Sequence, residues 1–189
     1  YVITDGLDEI VFNTIFKAVM EEEIGTESVQ NLMKVLCRMQ AKIIEEYDIP
    51  LTGNFVQNRQ SMINWCPIGR SAKREDRKLF TEIDEIERIR SKYLDILVGE
   101  IKSNNIDVTV KLGGDTSFDI YPTGWDKTYA LTHFEGGDWS FWFVGDRCYP
   151  TGNDYEIFSL LKDSGRAFET GGPKETIEII DFHILRDLI

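Results

Sequence analysis

Positive charge is scarce in this chain: 21 Lys and Arg against 33 Asp and Glu leave a formal charge of −12. That balance argues against nucleic acid as the main partner, because neutralising a phosphate backbone takes a surplus of lysine and arginine. Cysteine is also sparse. Cys37, Cys66 and Cys148 are three in number with no CxxC spacing, which suggests neither a disulfide framework nor a zinc site and suits ordinary thiols in a reducing compartment. No apolar run approaches the ~20 residues that span a bilayer. The opening YVITDGLDEIV lacks the basic-then-apolar order of a signal peptide. A soluble cytoplasmic protein with no membrane partner is the expectation. The two histidines, His133 and His183, stand apart from any carboxylate–histidine motif and read as structural or exposed.

What is present suffices for a core. With 189 residues and 42% hydrophobic content, the chain can hold one large domain or two small ones. After a short strand near residues 2–4, residues 26–48 carry Val29, Leu32, Met33, Leu36, Met39, Ile43 and Ile44 at three- and four-residue steps, an amphipathic helix stopped by Pro50. Residues 54–58 and 61–65 read as paired strands around Arg59-Gln60. From 73 to 104 the pattern is helical, with Leu79, Phe80, Ile83, Ile86, Ile89, Tyr93, Leu94 and Leu97 inward and a break near Asp84. Residues 107–112 and 116–121 alternate as a second strand pair across Gly113-Gly114. These segments predict a four-stranded antiparallel sheet covered by helices on one face. Beyond Gly124 the order becomes α/β: a helix from about Trp125, a strand over 140–144, a helix from Asn153, a strand over 166–169 and a helix after Pro173.

Two groups of residues point toward chemistry. The first is FWFVGDRCYPTGNDYEIF, Phe141 to Phe158, which puts the carboxylates of Asp146 and Asp154 and the amide of Asn153 beyond the carboxyl end of a strand. Ligands and ions sit at that end in open α/β sheets, and such oxygens are the hard donors Mg²⁺ selects. A polar loop leading into a helix capped by Asn153 is the other reading these residues allow. The second is a basic cluster, Arg59, Arg70, Lys73, Arg74, Arg77 and Lys78. One positive pocket on an acidic protein suits a small anionic ligand, while surface arginines paired with nearby acids are the plainer alternative.

Three blocks taken in order go further. GNFVQNRQSMINWCPIGRSAKREDR, GGDTSFDIYPTGWDKTYAL and FWFVGDRCYPTGNDYEIF together resemble the eukaryotic-type phosphomannomutases of the haloacid dehalogenase superfamily. The resemblance implies an α/β fold with an α+β insertion, a haloacid dehalogenase-like Rossmannoid core carrying an antiparallel-sheet-and-helix cap domain. Its divisions here are a partial core over 1–17, the cap over 18–123 and the C-terminal part of the core over 124–189.

By the same resemblance, Arg59, Arg70, Arg77, Ser117 and Asp119 hold the non-reacting phosphate and neighbouring hydroxyls of a hexose phosphate, and Lys127 supports the catalytic centre. Asp146, Asn153 and Asp154 make the Mg²⁺ loop, and Phe55 matches an aromatic residue of a cap-to-cap homodimer. A buried strand phenylalanine is the alternative for Phe55. The implied activity interconverts mannose 6-phosphate and mannose 1-phosphate for GDP-mannose synthesis. A non-catalytic sugar-phosphate-binding module and a related sugar-phosphate phosphatase are the competing readings. The family's Asp-x-Asp nucleophile motif occurs nowhere in these residues, so the 189-residue chain alone is expected to be inactive, with about two βα units, ~60 residues, belonging ahead of Tyr1. Two departures stand out. Asn58 and Ser61 replace a glutamate and a glycine around Arg59, and Leu160-Leu161-Lys162-Asp163 replaces the stretch that builds a second cation site.

Overall fold

The computed structural model describes residues 18–134 and 139–188. The strand expected near residues 2–4, and with it the 1–17 segment, lies outside the described residues. Those described fall into two compact units that divide between Thr123 and Gly124.

The first unit opens with α1 (Met20–Ile24), which Gly25 at φ 82° separates from α2 (Thr26–Glu46). Strands β1 (Val56–Asn58) and β2 (Ile63–Trp65) form a hairpin; α3 (Arg74–Glu87) and α4 (Ile89–Ser103) follow, then β3 (Val108–Gly113) and β4 (Ser117–Pro122). All four strands run antiparallel in the order β1-β2-β4-β3. Strand period two sends Ile63, Trp65, Phe118, Ile120 and Val110 to one face, where they join Leu32, Leu36 and Ile43 of α2 and Tyr93 and Leu97 of α4 in a single core.

Trp65 sits at its centre, stacked on Phe118 with centroids 4.7 Å apart and edge-on to Tyr93 at 6.3 Å. Its indole N–H donates to Gln40 Oε1 at 2.7 Å, and Gln40 Nε2 donates onward to Pro67 O at 2.9 Å. The buried glutamine is thereby satisfied, as a buried amide must be to avoid a desolvation cost. Each fully buried Leu or Ile adds about 1.5–3 kcal/mol, so the core rather than helix propensity holds this unit. Tyr93 also donates to Glu46 at 3.1 Å, and burial, then that carboxylate, raises its phenol well above the usual range.

The helical pair needs correction. It breaks at Arg88, which takes the left-handed conformation (φ 53°), and not at Asp84. Asp84 acts across the break instead, its Oδ1 accepting the Arg90 backbone N–H at 2.7 Å in the first turn of α4. Leu79 and Ile86, expected inward, are 50% and 81% exposed. Only Phe80 of α3 is fully buried, since a helix this charged meets the core along a narrow line.

The second unit carries a parallel pair, β5 (Phe143–Gly145) with β6 (Ala167–Glu169), joined through α5 (Tyr155–Leu161). That is a β-α-β connection, which parallel strands require. The helix expected from about Trp125 is a 3₁₀ helix over Lys127–Phe134, and the position before α5 is Asp154, not Asn153. Finally α6 (Pro173–Ile179) starts with proline at its first turn, where the missing N–H costs nothing. Among the described residues no helix is long and apolar enough to cross a membrane.

Candidate functional site

On the sheet face opposite the core, the strand registers align Gln57, Asn64, Asp119 and Lys111 in one row. A polar row across four strands needs a reason, and its hydrogen bonds supply one. Asn64 is 2% exposed. Its Nδ2 donates to Asp119 Oδ1 at 2.7 Å and to Ser117 Oγ at 3.1 Å, while its Oδ1 accepts from Arg70 Nη1 at 3.4 Å. One neutral amide thus joins the guanidinium to the carboxylate. Ser117 Oγ donates back to Gly113 O at 2.6 Å. Gly113 gives the Asp119 carboxylate its place, because a Cβ would lie 2.6–2.7 Å from it and force it to shift.

Arg77 braces the same set from α3. Its Nε donates to Ala72 O at 3.1 Å, Nη1 to buried Thr116 Oγ1 at 3.0 Å and Nη2 to Arg70 O at 3.3 Å. Three of its five N–H groups are used within the protein, and the other two have no hydrogen-bond partner among the described residues. Arg70 itself is exposed and gives one N–H to Asn64. Arg70, Arg77, Ser117 and Asp119 therefore belong to one hydrogen-bonded set.

Arg59 does not join that set by any hydrogen bond among the described residues. It lies exposed at the β1–β2 tip, its Nε donating to Gln57 Oε1 at 3.1 Å. Asn58 and Gln60 shape that tip: Asn58 Oδ1 accepts the Gln60 N–H at 2.8 Å, and Gln60 takes φ 72°. Phe55, just ahead of β1, is half-buried, and its carbonyl accepts from Cys66 N at 2.7 Å. Sequence reasoning missed Asn64 and Thr116. The only signal for Asn64 was a polar residue between Ile63 and Trp65, and its meaning depends on a cross-strand register that sequence does not reveal.

In the second unit, the turn after β5 is built around Asp154, 1% exposed. One carboxylate oxygen meets Lys127 Nζ, and the other accepts the backbone N–H groups of Asp146 at 3.2 Å and Arg147 at 3.0 Å. Gly145 lets it approach, since a Cβ there would fall 2.7 Å from Asp154 Oδ2. Asp154, one of the three residues expected in the Mg²⁺ loop, thus holds the turn and the lysine together. Asp146 is the exposed carboxylate at the strand end, with Asn153 half-buried behind it. Among the described residues no group of three or more His, Cys, Asp or Glu is arranged to hold a metal. Asp146 suits Mg²⁺ by donor type but supplies only one carboxylate. Beneath it Cys148 is buried, its Sγ near Gly145 O at 3.5 Å. Burial, followed by the charges of Asp154, Glu169 and Asp146, pushes that thiol up to about 11.

Comparison with known proteins places the chain in a family. The sequence model described as "Eukaryotic phosphomannomutase" matches residues 8–185. A Drosophila melanogaster phosphomannomutase is 38% identical over 161 residues, covering 83% of this chain and 60% of the relative. A Schizosaccharomyces pombe phosphomannomutase is 40% identical over 157 residues, covering 82% and 58%. A Dendrobium officinale phosphomannomutase is 34% identical over 178 residues, covering 94% and 66%. The chain thus spans less than two thirds of the length of these relatives. Among solved structures, the N-terminal truncated IMP-nucleotidase of Plasmodium falciparum superposes with a TM-score of 0.52 at 15% identity over 87% of this chain and 44% of that one. Its IMP-bound form gives 0.50 at 17% identity, over 82% and 38%. At that identity the likeness extends to the fold alone.

Proposed function

The chain belongs to the eukaryotic phosphomannomutase family of the haloacid dehalogenase superfamily, and from that premise we propose that its first unit, residues 18–123, is a sugar-phosphate-binding cap. Residues 124–189, together with 1–17, contribute part of the catalytic core. The activity of the whole protein is interconversion of mannose 6-phosphate and mannose 1-phosphate, feeding GDP-mannose synthesis in the cytoplasm. The observation that carries this reading is the polar sheet face on which Arg70 and Asp119 are joined through Asn64 beside Ser117. Guanidinium and carboxylate are displayed together there without cancelling one another, which suits a ligand bearing both phosphate and hydroxyl groups.

In the cap, Arg70 and the two uncommitted N–H groups of Arg77 grip phosphate oxygens, a task for which the planar fork is well shaped. Ser117 and Asp119 take hydroxyls beside it, and Arg59 reaches the ligand from the β1–β2 tip. In the core, Asp154 keeps Lys127 directed at the strand end, where the ammonium acts as a point charge on a transferring phosphoryl group. Asp146 would hold Mg²⁺, with Asn153 and Asp154 as its supporting loop. When bound, that ion neutralises charge on the phosphoryl oxygens. The β1 edge near Phe55 serves a cap-to-cap homodimer.

Calorimetric titration with mannose 1-phosphate and with unphosphorylated mannose tests the cap. A charge-assisted contact contributes about 1.5–3 kcal/mol, so Arg70→Ala is expected to weaken mannose 1-phosphate roughly tenfold or more and to leave mannose unchanged. Equal affinity for the two sugars would refute the reading.

A further inference from the structure

We propose that Asn64 is the positioning residue of the cap site, the group that fixes where Arg70 and Asp119 stand and keeps them apart; the inference rests on the reading of that site as a sugar-phosphate pocket. The phosphate-gripping and hydroxyl-binding groups are opposite in charge and close together. Left to themselves, a guanidinium and a carboxylate on one surface close into a bidentate pair, which would spend the arginine fork on the protein's own acid. Among the described residues Arg70 and Asp119 form no such pair. Asn64 stands between them, its carbonyl turned to the cation and its amino group to the anion.

Three features make that arrangement directional. Asn64 lies on β2 directly across from Asp119 in the sheet register, so backbone pairing holds its distance to the carboxylate. It is 2% exposed, so water does not compete for its four hydrogen-bonding positions. Its Nδ2 is also engaged by Ser117 Oγ at 3.1 Å and lies 3.4 Å from Phe118 O. Reversing the amide would face NH₂ to guanidinium and C=O to carboxylate and lose the bonds to Asp119, Phe118 O and Arg70. Only one orientation satisfies the site, and among the described residues that orientation leaves the rest of the Arg70 fork free. Asp119, held at Oδ1 and seated on bare Gly113, keeps Oδ2 for a hydroxyl.

Asn64→Asp and Asn64→Leu separate this role from simple packing, since both nearly preserve the side-chain shape. The aspartate variant keeps an acceptor for Arg70 and places a second carboxylate at the 2.7 Å now spanned by a hydrogen bond. Two carboxylates so close share a proton at low pH and lose it as pH rises. Its protonated form still donates to Asp119 as the amide does. Relative to wild type, the affinity of Asn64→Asp for mannose 1-phosphate is therefore expected to fall severalfold at low pH and tenfold or more at neutral pH. The deficit of Asn64→Leu should be about tenfold and flat with pH. A purely structural asparagine would give equal deficits at every pH in both.

The wild-type protein supplies a measurement that depends on no variant. The Asn64 side-chain NH₂ resonances are expected to exchange slowly with solvent and to shift when mannose 1-phosphate is added. Fast exchange with no shift would overturn the proposal, as would folded Asn64 variants that bind like wild type while Arg70→Ala does not. If wild type fails to bind mannose 1-phosphate, or Arg70→Ala binds normally, the reading of the pocket itself falls and the inference with it.

Discussion

Removing the Asp84 carboxylate should be among the most damaging single changes in the first unit, although among the described residues its hydrogen bonds go to Arg88 and Arg90 and to no residue of the proposed pocket. Its Oδ2 accepts from Arg90 Nε at 2.7 Å and its Oδ1 from the Arg90 backbone N–H at 2.7 Å, with the Asp84 side chain 10% and the Arg90 side chain 14% exposed. Arg90 Nη1 in turn donates to Gly114 O at 3.0 Å, tying the α3–α4 corner to the β3–β4 turn. Asp84→Ala leaves a guanidinium largely buried without its counter-charge, a situation that typically costs ~3–5 kcal/mol, and orphans a first-turn N–H besides. Arg38–Glu100 provides the contrast, with side chains 57% and 39% exposed; solvent screening limits such a pair to ~1 kcal/mol or less. Urea unfolding followed through helical circular dichroism and Trp65 fluorescence measures both. At a slope of ~2 kcal/mol/M the Asp84→Ala midpoint should drop by roughly 1.5–2.5 M, against a few tenths for Arg38→Ala. Asp84→Asn should fall between, because asparagine still accepts the α4 N–H. A loss below about 1 kcal/mol for Asp84→Ala, or one no larger than for Arg38→Ala, would refute the assignment of this pair as the corner's anchor.

Cys148, held up at about 11 by burial and three nearby carboxylates, should resist iodoacetamide at neutral pH while exposed Cys37 reacts; comparable rates at both would contradict it. A folded-state value raised above the unfolded one means the thiol's stabilising contribution is complete below an ordinary thiol pKa of ~8.5 and is lost as pH climbs toward about 11, so urea midpoints should decline over that alkaline window and less so in Cys148→Ala. The β1 edge, which among the described residues has no strand on its outer side, should support a dimer through the Phe55 region; sedimentation equilibrium would show a wild-type dimer weakened by Phe55→Ala, and a wild-type monomer at micromolar concentration would end that idea.

Helical periodicity carried the first unit a long way and failed where it had to choose sides. On α2 the buried apolar set is Val29, Leu32, Val35, Leu36, Met39 and Ile43, whereas the sequence pattern omitted Val35 and included Ile44, which is 40% exposed. Both lie at the margins of the apolar stripe, where a residue's burial depends on the neighbour it meets. On α3 the pattern lacked such an answer altogether, and exposed Leu79 and Ile86 look the same in sequence as buried Phe80. The strands of the second unit were drawn too long for a related reason. The apolar run 140–144 is visible, but only Phe143–Gly145 finds a partner in β6, and pairing across more than twenty residues leaves no local trace. At the sites, motif resemblance pointed to Arg70, Arg77, Ser117 and Asp119, since their types and spacings are unusual. It did not say that Arg59 bonds to Gln57, or that Asp154 spends its charge on Lys127 and two amides.

The two units share a device that ties their glycines to their chemistry. In the first, Asp119 rests where a Cβ on Gly113 would stand 2.6–2.7 Å from its carboxylate; in the second, Asp154 rests where a Cβ on Gly145 would stand 2.7 Å from its Oδ2. Neither glycine is needed for a positive φ, as neither appears among the residues that take one. Each is required by close approach instead, since a carboxylate that lies flat on bare backbone gains a fixed position without a side chain to prop it. The polar partners then complete the hold: Asn64 for Asp119, Lys127 and two amides for Asp154. A carboxylate so fixed loses little further conformational freedom when it takes a new partner, and strand ends and sheet faces hold it more precisely than loops would.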